Sequence, residues 1–103
     1  RAYVDGCNEA LMANALSPTG RVSTQGALEV ASGVQRRLER ARAIAAGTPY
    51  GTLQAGHVPD TTWTDNPVPH SWLGLTPRVN SSLGSQAGNY PLGYVPTGFY
   101  INE

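Results

Sequence analysis

Residues 23–47 read STQGALEVASGVQRRLERARAIAAG, and the fold turns on what this stretch does. Ala27, Ala31, Val34, Leu38, Ala41 and Ala45 recur at alternating steps of four and three. That spacing lines side chains along one face of an α-helix. Leu28, Val30 and Ile44 widen the stripe. Ser23 or Thr24 can cap the first turn through a side-chain oxygen. Arg42 sits near the negative end of the helix dipole, and Gly47 suits the left-handed residue that follows a helix. Pro49 then forbids continuation. The stretch predicts a helix over 24–46 whose packing face is Ala31, Val34, Leu38 and Ala41. Gly26 and Gly33 weaken it by about 1 kcal/mol each relative to Ala, so a close neighbour is expected against them. On this reading Leu38→Asp melts the pairing, because it puts an unpaired charge in the seam.

Upstream, Val4, Cys7, Leu11 and Ala15 share a face, with Met12 and Leu16 beside it, and predict a helix over 3–16. Ser17-Pro18-Thr19-Gly20 places Pro and Gly where a type I turn favours them. Two amphipathic helices joined by a short connection make an antiparallel hairpin the simplest arrangement, a unit over 1–47.

Downstream of Gly47 the composition changes. Asp60, Asp65, Arg78 and Glu103 are the only charges there, while Pro, Gly and all aromatics but Tyr3 concentrate in it. Disorder goes with few aromatics and many charges, so this is a poor disordered tail. Its Pro and Gly content also makes it a poor independent domain. The expectation is an extended arm over 48–103 with little regular structure, packing on the hairpin or on a partner subunit. The fold class is thus read as mainly α with an extended irregular segment. Trp63, Trp72, Tyr90, Tyr94, Phe99 and Tyr100 are its predicted interface anchors, since large aromatics dominate interface cores.

The chain has 103 residues, a formal net charge of zero and 14% charged residues, against about a quarter in ordinary domains. Neutrality argues against direct nucleic-acid contact, which normally requires a basic excess. Arg36 and Arg40 share a helix face, but Glu39 is interleaved and Arg is favoured near a helix C-terminus anyway. One cysteine, Cys7, excludes an internal disulfide and reads as a small buried apolar residue. No apolar run approaches the roughly 18 residues of a membrane span.

His57, His70, Asp60 and Asp65 are the one cluster resembling a ligand set, yet no metal-binding spacing is present, so neither metal nor cofactor is assigned. Asp60-Thr61-Thr62 and Asp65-Asn66-Pro67 read better as turns. Ser71 or Cys7 with His57 or His70 would give a nucleophile and base, but no nucleophile-elbow motif accompanies them, and no catalytic residues are assigned. Asn80-Ser81-Ser82 fits the glycosylation acceptor pattern.

A charge-poor surface with unpartnered aromatics points to a structural or interaction subunit of a larger assembly. Its partners would be other protein subunits or copies of itself, and its arm a strap between them. Capsid, connector or tail components of virions have this character, and the chain is expected to be soluble in that setting. The alternatives are a non-catalytic or processed chain of a multi-subunit enzyme, and a secreted glycan- or peptide-binding module using Trp63 and Trp72.

Overall fold

Both expected helices form, with altered ends. The computed structural model describes residues 1–100. α1 spans Ala2–Met12 and stops short of residue 16 because Asn14 takes a left-handed backbone, φ 57°, and turns the chain. Ser17 then donates its N–H to the Trp63 carbonyl at 2.9 Å, which commits the following residues to a different neighbour. α2 spans Ala27–Ala45. Neither Ser23 nor Thr24 caps it: Gly26 occupies the N-cap at φ 83°, a conformation natural to glycine. At the other end Gly47 closes the helix with φ 78°, as its position suggested.

The expectation of a mainly α chain is corrected: the protein is mixed α/β, because the segment after Gly47 carries two strands and two further helices. β1 (Gln54–Val58) pairs antiparallel with β2 (Ser71–Leu75), with Gln54 opposite Leu75, His57 opposite Trp72 and Val58 opposite Ser71. Neither strand alternates apolar and polar residues, so neither declares itself until the other pairs with it. The short α3 (Thr61–Thr64) begins where the Asp60 side chain accepts the Thr62 N–H at 3.1 Å, and ends at left-handed Asp65. α4 (Pro77–Ala87) has a legible start that composition obscured. Thr76 caps it by accepting the Val79 N–H at 3.2 Å, and Pro77 fills the first turn. Residues 101–103 of the expected arm lie outside the described residues.

The two helices of the expected hairpin pack chiefly on the sheet, not on each other: α1 meets β1 and β2, and α2 meets β1. Close approach at α1 depends on Gly6, where a Cβ would lie 2.6 Å from Val58 Cγ1. The buried apolar set is Cys7, Ala10, Ala43, Ala55, Val58, Trp63, Leu75 and Ala87. Apart from Trp63 these are small or medium side chains, so burial yields modest energy per residue and backbone hydrogen bonds do much of the ordering. Val22 N–H reaches the Thr62 carbonyl at 2.8 Å, Arg21 N–H the Tyr94 carbonyl at 2.8 Å, and Gly93 N–H the Arg21 carbonyl at 2.7 Å. The α1–α2 connection is therefore a seam between α3 and the C-terminal segment.

Candidate functional site

Two surfaces stand out, on opposite sides of α2. The first is its apolar stripe. At about 100° per residue, Ser32, Glu39 and Ala43 lie about 140° around the helix from the stripe that runs from Ala27 to Ala45. Those three are buried against the body. The expected packing face points the other way: Ala31 is half-buried, while Val34, Leu38 and Ala41 are exposed. Leu38 is 58% exposed, and Val30 and Ile44, flanking it, are 68% and 67% exposed.

Glu39 is the charged group that this inversion has to accommodate. Arg42 grips its carboxylate with two hydrogen bonds, Nε–Oε1 at 2.6 Å and Nη2–Oε2 at 2.8 Å, and Tyr50 donates its hydroxyl to Oε2 at 2.6 Å. The Arg42 guanidinium above all, and then Tyr50, hold Glu39 below the usual carboxylate range. A buried acid so well partnered is tolerated. Its partners let this side of α2 face inward.

The second surface is a polar cleft of about 330 Å³ between α2, the β1–α3 turn and α4, into which Glu29, Ser32, Arg36, His57, Asp60 and Asn80 converge. The first three come from α2 at helical spacing, a polar stripe on the side away from the apolar one. His57 is only 6% exposed. Its ring lies 4.4 Å from that of Trp72, centroid to centroid and tilted by 53°, as their opposition across the sheet dictates. Its Nε2 lies 3.0 Å from the Pro67 carbonyl. Burial, reinforced by the Arg36 charge, pushes the imidazole pKa below its ordinary value against the opposing pull of that carbonyl and Asp60. Ser32 donates its hydroxyl to Thr61 Oγ1 at 3.2 Å, and the Asn80 amide donates to Gln54 Oε1 at 2.7 Å.

Of the residues singled out as a ligand set, His57 and Asp60 thus share the cleft, while His70 and Asp65 are exposed and take no part in it. Among the described residues no group of three or more His, Cys, Asp and Glu is placed to hold a metal ion. Cys7 is fully buried, with its thiol pushed up to about 12 by that burial, so it stays protonated at neutral pH. Glu29, Ser32, Thr61 and Asn80 were not anticipated. The spacing of Glu29, Ser32 and Arg36 along α2 is the signal that was available for two of them.

The aromatic residues divide. Trp63 is 6% exposed, and Tyr90, Tyr94 and Phe99 surround its ring at centroid distances of 5.6, 6.3 and 5.9 Å, all edge to face. Asn8 fixes the end of this cluster by exchanging two hydrogen bonds with the Phe99 backbone, at 2.8 and 2.9 Å. Trp72 is half-buried under His57, and Tyr100 is 78% exposed. Exposed Leu92 and Val95, at 60% and 63%, lie on the outer side of the same segment. Among the described residues no helix is long and apolar enough to cross a membrane. Comparison with protein-family models, with curated proteins and with solved structures gives no match.

Proposed function

We propose that this chain is a structural or interaction subunit of a multi-chain assembly, and that it joins a second copy of itself through the outward stripe of α2. The observation that carries the reading is the inversion of α2, which turns Ser32, Glu39 and Ala43 inward and its apolar heptad-like stripe to solvent. Stripes at steps of four and three pack against another helix of the same kind.

A second copy is the fitting occupant because the stripe is self-complementary. Laid antiparallel about residue 36, Ala27 meets Ala45 of the second copy, Ala31 meets Ala41, and Val34 meets Leu38. Small residues then face small ones at both ends, and the two branched residues fill the middle. This is the reciprocal pairing a two-fold interface requires. Antiparallel packing also opposes the helix dipoles.

The contact is a weak one taken alone. A 19-residue helix is about 28 Å long, and a seam about 10 Å wide covers about 600 Å² in total, below the roughly 1,000 Å² of stable pairs. Cohesion of an assembly would come from several such contacts acting together. Leu92, Val95 and Tyr100 on the C-terminal segment supply a second apolar surface, in keeping with a strap.

Sedimentation equilibrium from about 10 μM to about 1 mM tests the pairing. The expected result is a rise from monomer towards dimer that Leu38→Glu abolishes. Mixing Val34→Cys with Leu38→Cys chains under oxidising conditions should give the mixed disulfide in preference to either like pair, with buried Cys7 a bystander. A wild-type chain that stays monomeric at the highest concentration overturns the proposal, as does a dimer indifferent to Leu38→Glu.

A further inference from the structure

The geometry points to a separate binding site: the His57 cleft takes a small zwitterion of the free amino-acid class, its ammonium against His57, Asp60 and Asn80 and its carboxylate against Arg36. This does not depend on self-association, since the cleft opens on another side of α2.

The argument begins with the tautomer of His57. A carbonyl oxygen only accepts, so Nε2, 3.0 Å from the Pro67 carbonyl, carries the imidazole proton. The other nitrogen, Nδ1, is then a bare acceptor in the neutral ring. Among the described residues it bonds no protein group, yet it is not sealed in: the one fully buried side-chain nitrogen or oxygen left without a partner there is Arg21 Nε. Nδ1 therefore keeps access to solvent, and His57 is one of the residues that line the cleft.

Two neighbours are in the same state. Asp60 spends Oδ1 on the Thr62 N–H and leaves Oδ2 open. Asn80 is oriented by its amide nitrogen, which donates to Gln54 Oε1, so its Oδ1 is open as well. All three residues line the cleft, and three acceptors on it would match the three N–H groups of one ammonium. The single strong donor in the cleft is the Arg36 guanidinium. Among the described residues the one ion pair is Arg42 with Glu39, which leaves Arg36 without a carboxylate. Its planar fork matches a carboxylate in two parallel hydrogen bonds.

Charge and size narrow the class further. Glu29 and Asp60 against Arg36 leave the cleft one negative charge in excess with His57 neutral, so a simple anion such as phosphate is repelled. A volume of about 330 Å³ lies at the small end of ligand pockets, which suits a metabolite of amino-acid size.

The test is a titration of the chain with each of the twenty free L-amino acids to about 10 mM, read by the ¹⁵N shift of His57 Nδ1. The expected result is a saturable shift with at least one of them. Arg36→Leu and Asp60→Asn should each weaken it at least about tenfold, and the N-acetylated ligand should not bind. Asp60→Asn keeps a side-chain oxygen for the α3 cap, and Arg36 is exposed, so both variants retain the fold. No saturable shift with any amino acid overturns the proposal. So does binding that survives both Arg36→Leu and N-acetylation, or a saturable response to inorganic phosphate alone.

Discussion

Placing Asp at Leu38 and at Ala43 in turn asks which side of α2 faces the body, and the two readings of this helix give opposite answers. If the apolar stripe were the seam, Leu38→Asp would be the disruptive change. In the structure Leu38 is 58% exposed and Ala43 is 1% exposed. The Leu38 variant forfeits the two-fifths of the side chain that is covered, about 1 kcal/mol if full burial contributes about 1.5–3. Lower helix propensity adds about 0.5 kcal/mol, for a total near 1.5. The Ala43 variant suffers a similar propensity loss and also forces a larger side chain and a charge into filled space. Overpacking costs about 1–3 kcal/mol, and an unpaired buried charge costs several more unless the group takes up a proton. A loss of about 4 kcal/mol or more is expected, much of the stability of an ordinary small domain. Urea unfolding followed by circular dichroism at about 5 μM, where weak self-association is negligible, reads both. Equal losses, or a greater loss at Leu38, would refute the inward placement of Ser32, Glu39 and Ala43.

Trp63→Ala should cost about 3–5 kcal/mol and expose residues 88–100 to proteases, because Tyr90, Tyr94 and Phe99 lose the ring they pack on; a tail no more readily cleaved than in the wild type would contradict this. The protein should lose stability in alkali. Burial raises Cys7 from its ordinary 9.0 to about 12 and raises the neighbouring Tyr3 hydroxyl too, so the folded state keeps protons that the unfolded chain sheds. Stability from Cys7 is then complete below pH 9 and declines as pH rises towards 12, by up to about 4 kcal/mol. Thermal unfolding of Cys7→Ala between pH 8 and 11 should show a shallower decline than the wild type, with an identical slope counting against the assignment.

The periodic features were legible in residue order alone. Steps of three and four gave α1 and α2 to within a few residues, and Gly47 marked the end of α2, because helical spacing and left-handed glycine are local properties. Thr76 and Pro77 announced α4 just as locally, though the surrounding Ser and Gly concealed it. What residue order did not decide was which stripe of α2 would be inside. An amphipathic pattern says that one face wants cover without saying where the cover is. Here Tyr50, eleven residues on, and Arg42 give Glu39 partners that make the polar side the buried one. The same holds for β1 and β2, which lack alternation and exist as a pair across the sheet, and for the cleft. Its Arg36, His57, Asp60 and Asn80 are up to 44 residues apart and come together only when α2 and α4 settle on the two strands. Local spacing fixes which helices form; long-range packing pairs the strands and decides which faces of the helices remain free to bind.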